Sequence, residues 1–482
     1  MFDLRPVGYL VGLLLAAMGV TMAVPLLVDI AEGRGHWPVF LESMIITCLV
    51  GGLVALACRN ATGKGLTIQQ AFLMTALTWV VLPLFGALPL MLGATELGFI
   101  DAFFESMSGM TTTGTTVIAG LDALPKGLLL WRGILQWLGG LGIVIVALVF
   151  LPEMRVGGMQ FFRTEGFDTF GKALPRTVDI SKGVLNVYLG LTVTCTLSYL
   201  LLGMGAFDAT MHALTTVSTG GFSTSDQSFG AFPAAPQYAC VIFMILASLP
   251  FVRMMQGVQG NMRPILHDSQ VQTYLRWIFY AITLVVIYDV AVNGRLDEAS
   301  VRARIFNMVS FFSGTGFGSA DVTAWGAFPF VILIAVGAIG GCTGSTGCSI
   351  KIFRYQLMLR ALGQQARRIF QPSSVMVLRH DGRRVEDDVL QSVMLLFTCY
   401  VLSLGFFAVA LELTGLTVME SITGAWTAIF NIGPAFGDRV GPTGAIMKFP
   451  DAAKALMIFA MLLGRLEVLA VIVLLVPTFW RS

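Results

Sequence analysis

Four short stretches of this chain share one pattern: Ser108-Gly-Met-Thr-Thr-Thr-Gly114-Thr-Thr-Val117, Thr215-Thr-Val-Ser-Thr-Gly-Gly221-Phe-Ser-Thr224, Phe311-Phe-Ser-Gly-Thr-Gly316-Phe-Gly-Ser-Ala320 and Ala428-Ile-Phe-Asn-Ile-Gly433-Pro-Ala-Phe-Gly437. Six residues before the central glycine stand Ser108, Thr215, Ser310 and Thr427, all hydroxylic. Thirteen before it stand Asp101, Asp208, Ala303 and Glu420, three acids of four. Such spacing is what four copies of one device leave behind: a short helix, then an extended turn with exposed backbone. Buried together in a membrane, four such turns can offer a ring of carbonyl oxygens to a bare cation.

The surroundings are those of a membrane protein. Hydrophobic residues make up 56% of the 482, and charged residues only 12%, about half the share in soluble domains. Mean hydropathy is +0.80. Uncharged runs such as Val7–Val28, Gly65–Thr95, Gly133–Pro152, Gly183–Phe207, Val322–Ile350 and Val389–Leu411 reach the roughly 20 residues a helix needs to cross a bilayer. The first is too long and too weakly flanked for a signal peptide and reads as a retained helix.

Charge distribution sets a sidedness. The segment Lys351–Arg384 holds eight Lys or Arg and one acid, Asp381, which places it in the cytoplasm by the positive-inside rule. Arg59 and Lys64, then Arg155, Arg163, Lys172 and Arg176, then Arg253, Arg263 and Arg276 fall on the same side if helices alternate. Both termini are then cytoplasmic and the four turns lie toward the outer face. A net charge of +2 gives no ground for a nucleic-acid partner. The seven cysteines lie mostly in apolar runs without zinc-ligand spacing and read as small packing residues.

The expected fold is an all-α polytopic membrane protein. Two leading helices, about 7–29 and 39–58, occupy residues 1–62. Four pseudo-symmetric helix–pore-loop–helix repeats around one central pore follow. The first takes residues 63–155; 156–258 hold a cytoplasmic loop and the second; 259–363 hold the third, with a glycine-rich stretch; 364–482 hold another loop and the fourth. That gives about ten crossings. Acids at the start of the short helices suit the positive end of the helix dipole, and the negative ends then point inward. The third repeat departs, with Ala303 between Arg302 and Arg304, a basic pair read as loop- or lipid-facing.

With the turns, the Gly340-Gly341-Cys342-Thr343-Gly344-Ser345-Thr346-Gly347-Cys348 stretch and the Gly464-Arg465-Leu466-Glu467 sequence taken together, the chain resembles a TrkH-type subunit of the Trk/Ktr/HKT superfamily of potassium transporters, over nearly its whole length. The resemblance implies potassium uptake across the bacterial inner membrane, without covalent chemistry. It implies one selectivity filter holding potassium ions, made of Thr112, Thr113 and Gly114, of Thr219, Gly220 and Gly221, of Gly314, Thr315 and Gly316, and of Asn431, Ile432 and Gly433. It also implies a gate in the 340–348 stretch and Arg465 near the ion path. The partners it implies are a second copy of the chain, a cytosolic nucleotide-binding regulatory subunit of the TrkA type, and membrane lipid. The Lys351–Arg384 segment and the 153–182 loop are candidate docking surfaces. Thr115, Pro434 and Ala435 stand where a T-V-G-Y-G filter has its aromatic and second glycine, which points to fewer ion positions. Some plant relatives that prefer sodium carry serine at the first filter glycine; Gly114 here favours potassium.

Rival readings are weaker. A proton- or sodium-coupled secondary transporter would carry membrane-embedded carboxylates in pairs, whereas the apolar runs show few acids, Asp289 standing alone. A phosphate loop needs G-x-x-x-x-G-K-[ST], and an intramembrane enzyme needs H-E-x-x-H or G-x-S-x-G; neither pattern is met. Arg465 at mid-membrane costs about 2.5–3.5 kcal/mol even on the gentlest scale and must face protein or water. Glu467, two residues on, cannot share its helix face. His212, in the second short helix, reads as a hydrogen-bonded packing residue.

Overall fold

A computed structural model describes residues 3–33, 35–61, 66–149, 177–294, 297–372, 377–441 and 444–480. Most of the 153–182 loop, with Arg155, Arg163, Lys172 and Arg176, and also Lys64, lies outside the described residues.

Among the described residues the regular structure is helical, apart from a hairpin of two-residue strands pairing Arg379–His380 with Arg383–Arg384. Asp381 and Gly382 turn it, both with positive φ, the backbone that a two-residue hairpin demands. An all-α reading passed over this Asp-Gly signal. Among the described residues, seven helices are long and apolar enough to cross a membrane, and nine spans result when each of two bent pairs counts as one. The apolar Ala327–Ile339 helix is shorter than these and is not among the nine.

Arg5–Thr21 and Ala23–Glu32 form the first leading helix and Trp37–Cys58 the second. They touch backbone to backbone. A Cβ at Gly12 would stand 2.8 Å from the Gly51 carbonyl oxygen, and one at Gly51 would stand 2.8 Å from that of Gly12. Small residues permit such close approach where no water drives association. Leu13, Leu14, Leu49, Leu53 and Leu56 remain exposed on these two helices, an apolar surface suited to lipid rather than water.

Four short helices follow at intervals: Phe99–Met110, Ala206–Val217, Glu298–Ser313 and Val418–Phe430. The first would reach only about 18 Å at 1.5 Å per residue, too short to cross. Asp101, Asp208 and Glu420 do sit in first turns, and Thr417 forms a capping box with Glu420. The third short helix is longer. Its acid is Glu298, behind the Asp297 cap, so counting thirteen back lands inside the helix at Ala303. Nor are its arginines lipid-facing. Arg302 binds Glu298 and Gln237, and Arg304 binds Asp289 at 2.8 Å and stacks on Trp325. Asp289 is therefore not a lone acid.

The helix after each short helix breaks in three repeats of four. Ala234–Ala247 and Phe251–Val258 meet at 102°, and Asp451–Arg465 and Val468–Leu475 at 108°. In the third repeat the buried loop 340–351 separates Ala327–Ile339 from Ile352–Phe370. Only this third break was expected from sequence. In the first repeat Lys126–Val149 runs on as one helix.

Candidate functional site

The four turns follow one backbone course. Thr112, Thr219, Gly314 and Asn431, each two residues before the central glycine, have φ of 52°, 51°, 76° and 50°. A β-branched threonine seldom adopts that left-handed conformation, so two turns hold a strained residue in register with a glycine. The next amide then closes each helix. Thr113 donates to the Ser108 carbonyl at 2.9 Å, Gly220 to Thr215 at 2.8 Å, Thr315 to Ser310 at 2.9 Å and Ile432 to Thr427 at 3.2 Å. A left-handed cap with this bond is an ordinary way to end a helix. Here it is repeated four times at one depth.

The glycines follow, with φ of 86°, 82°, 80° and 118° at Gly114, Gly221, Gly316 and Gly433. Each faces a carbonyl of the next repeat. A Cβ at Gly114 would overlap the Gly220 oxygen, one at Gly221 that of Thr315, and one at Gly316 that of Ile432. One at Gly433 would stand 3.0 Å from the Thr113 oxygen, which closes the circle. The contacts run from repeat one to two, three, four and back to one. All four glycines line a single open cavity of 530 Å³. Twelve residues read from the sequence as one site are thus brought together.

Side chains lock the ring. Ser108 Oγ donates to the Thr115 carbonyl at 2.5 Å and Ser310 Oγ to that of Phe317 at 2.8 Å, while Thr427 Oγ1 accepts from the Gly433 amide at 2.8 Å. Thr215 bonds back into its own helix instead. Thr115 Oγ1 donates to the Gly433 carbonyl at 2.6 Å, and Asn431 Nδ2 to Thr113 Oγ1 at 2.9 Å, so the first and fourth turns are tied. His212 does pack as a hydrogen-bonded residue: one ring nitrogen pairs with the Asp208 carbonyl and the other with Ser223 Oγ, among Phe229, Phe232 and Phe317.

Several residues of this shell were not singled out from sequence. Gln136 Nε2 donates to the Gly220 carbonyl at 2.5 Å, and its Oε1 accepts from the Phe222 amide. Glu105 and Arg132 form a buried ion pair at 2.8 Å. The long sequence separations hide both, and a lone acid in an apolar helix gives no partner away.

Below the ring lies the glycine-rich loop, fully buried from Gly340 to Ile350. Its bonds run mainly to the broken second repeat. Cys342 N donates to the Ser248 carbonyl, Thr343 N to Gln270 Oε1, Thr346 Oγ1 to the carbonyls of Val217 and Ala247, and the Gly344 carbonyl accepts from Phe251 N. Gly340 and Gly344 have φ of 80° and 74°, and a Cβ at Gly341 or Gly347 would crowd Ser248 or Ser313 at 3.1–3.2 Å. Ser345 Oγ closes a turn on the Cys342 carbonyl at 2.6 Å.

Cys348 is where loop, ring and last helix meet. Its Sγ lies 3.6 Å from Thr112 Oγ1 and accepts from Arg465 Nη1 at 2.8 Å. That is more than small apolar packing. Arg465 also approaches the Gly139 carbonyl at 3.4 Å and stacks on Trp79. Glu467 does not neutralise Arg465: the chain bends between them, and Glu467 binds Arg354 at 2.5 Å. Arg354 and Lys351, read from sequence as cytoplasmic, are buried. A charge count along the chain cannot see a carboxylate more than a hundred residues away.

A helical, multi-spanning membrane protein in which four helix–turn units close one ring around one central cavity is the class that fold and site define. The chain belongs to the TrkH family of cation transport proteins, whose family pattern it matches over residues 36–482. It is similar to the Trk system potassium uptake protein TrkI of Halomonas elongata, 39% identical over 479 residues that cover 99% of this chain and 97% of that one. It is likewise similar to the Trk system potassium uptake protein TrkH of Escherichia coli, 32% identical with 99% of each chain covered. In structure it resembles the crystal structure of the potassium transporter TrkH from Vibrio parahaemolyticus, with a TM-score of 0.90, 29% identity and all of both chains covered.

Proposed function

We propose that the chain takes potassium ions up across the bacterial inner membrane. An ion leaves its water at the ring of Thr112–Gly114, Thr219–Gly221, Gly314–Gly316 and Asn431–Gly433, where backbone carbonyls replace its hydration shell. It then passes the Gly340–Cys348 loop, which serves as the gate with Arg465 beside it. The observation that carries this reading is the closed circle of glycine–carbonyl contacts, because only glycine lets four backbones meet so closely around one cavity. Potassium is cargo here, not a resident cofactor.

In this reading both termini and the Lys351–Arg384 segment lie on the cytoplasmic side. A second copy of the chain and a cytosolic nucleotide-binding subunit of the TrkA type complete the system, the basic segment offering a docking surface. The chain performs no covalent chemistry. Coupled transport through titrating carboxylates is disfavoured, since Glu105, Asp289 and Glu467 each hold an arginine and Asp101 holds Lys454.

The test is flux. Purified protein in proteoliposomes should take up rubidium, used as a potassium tracer, in preference to sodium, and a proton gradient should leave the rate per unit driving force unchanged. Uptake that ceases without a proton or sodium gradient would replace a gated path with coupled transport.

A further inference from the structure

The first two turns are joined by a charged device that the equivalent positions of the other repeats do not reproduce. Nine residues before each central glycine stand Glu105, His212, Asn307 and Gly424. In three repeats this position braces the strand leaving its own turn. Glu105 accepts from Thr116 Oγ1 at 2.9 Å and from Val117 N at 2.9 Å; His212 pairs with Ser223 Oγ at 2.9 Å; Asn307 Nδ2 donates to Ser319 Oγ at 2.9 Å. Only the first brace is ionic, and only it is extended. Arg132, eighteen residues after Gly114, donates Nε to Glu105 at 2.8 Å and Nη2 to Thr116 Oγ1 at 3.2 Å. It crosses to the second repeat with Nη1 on the Ser223 carbonyl at 3.1 Å, its guanidinium 4.1 Å from the Phe222 ring centroid. The equivalent positions in the other repeats hold Ala239, Ile334 and Asp451.

We infer that the Glu105–Arg132 pair positions the ring for ion selection, as a strut that fixes the spacing between the first and second turns. This rests on the potassium-path reading of the same ring. Ser223 lies two residues beyond Gly221, and Thr116 two beyond Gly114, so the strut grips the Ser223 carbonyl at one end and the Thr116 hydroxyl and Val117 amide at the other, immediately outside the turns. Arginine's fork reaches two repeats at once, which a point charge on a flexible stem does not. Both partners are fully buried, and a charged pair kept from water is rigid only while every arm is bonded. Loosening it lets the two turns relax toward a smaller ion, so discrimination suffers before transport does.

The experiment compares rubidium with sodium uptake in proteoliposomes for the unaltered protein, Arg132→Lys, Glu105→Gln, the neutral double variant E105Q/R132Q, and Thr116→Val. Lysine keeps the charge and the bond to Glu105 but loses the bridge to Ser223. A strut therefore predicts that Arg132→Lys lowers the rubidium-to-sodium ratio about tenfold, or about 1.4 kcal/mol of discrimination, while total flux persists. The double variant leaves no unpaired buried charge and should lose the same preference. Thr116→Val removes the hydroxyl that donates to Glu105 and accepts from Arg132 and the Ile118 amide, and should lower the ratio at least about threefold, since even one net hydrogen bond is worth that much. A merely structural role predicts lower yield at an unchanged ratio, and an unchanged ratio in the variants that fold overturns the strut. Absence of any cation preference in the unaltered protein overturns the potassium-path reading and the strut with it.

Discussion

Arg465 holds the buried loop through the thiol of Cys348, with Nη1 2.8 Å from Sγ, and that same thiol lies 3.6 Å from Thr112 Oγ1 in the first turn. A fixed positive charge thus stands within two side-chain contacts of the ring. Among the described residues no carboxylate pairs with it, and Glu467 is engaged by Arg354.

Arg465→Gln is expected to speed cation flux at unchanged selectivity. Two unit charges about 6 Å apart repel by roughly 3 kcal/mol at an effective dielectric of 20, so removing one should raise the rate at least about tenfold. Folding should survive, since no acid is left unpaired. Purified yield and flux per protein are measured together. Normal yield with unchanged flux would show that this arginine lies off the ion path.

The loop is anchored to the second repeat by a few bonds, and Thr346 makes two of them, to the carbonyls of Val217 and Ala247 at 3.1 and 3.0 Å. Thr346→Val keeps the shape and removes both, so basal flux without any cytosolic partner should rise severalfold, roughly the effect of 1 kcal/mol. Deleting Thr343–Gly347 should raise it further. Rubidium efflux from loaded vesicles reads both, and a folded deletion with wild-type or lower flux would reduce the loop to packing.

Where sequence foretold structure, the signal was local. The spacing of Gly114, Gly221, Gly316 and Gly433 carried through to four turns of the same backbone course, because a left-handed angle at a fixed distance from a helix end must be written in residue types. What sequence hid was set across distance. The break at Ser248–Pro250 had a proline to mark it, but a proline in an apolar run ends some helices and merely kinks others. The break at Leu466–Glu467 has no such mark; Glu467 takes a φ of 62° where it turns to meet Arg354. Lys351 and Arg354 were counted as cytoplasmic for the same reason: their burial depends on a partner in the last repeat. The Glu105–Arg132 pair likewise becomes visible only when two helices are laid side by side.

Gly114→Ser should weaken the preference for rubidium over sodium. A Cβ there overlaps the Gly220 carbonyl, and the φ of 86° is one that a side chain resists. The first and second turns must part, and the hydroxyl adds a competing oxygen. Uptake of both ions in a strain lacking its own potassium systems would show a ratio lowered about tenfold or more. An unchanged ratio would remove the first turn from the ion-selecting ring.

Glu467 is the carboxylate facing Arg354 at 2.5 Å and also interacts electrostatically with Lys351. Glu467→Leu alone would leave buried cations without their counter-charge, a loss of about 3–5 kcal/mol for a broken buried pair, and Arg354→Met alone would strand the carboxylate. The thermal midpoint in detergent should fall by several degrees or more. Replacing both partners together, Arg354→Met with Glu467→Leu, removes the bonded pair and should recover part of the loss, since a well-packed apolar pair often matches a buried ion pair in stability, while Lys351 still lacks its counter-charge. The two single variants and the double form a cycle whose coupling energy reports the pair itself. Additive losses across the cycle would mean that Arg354 and Glu467 stabilise the protein independently, with the bond to the Ile350 carbonyl holding the arginine on its own.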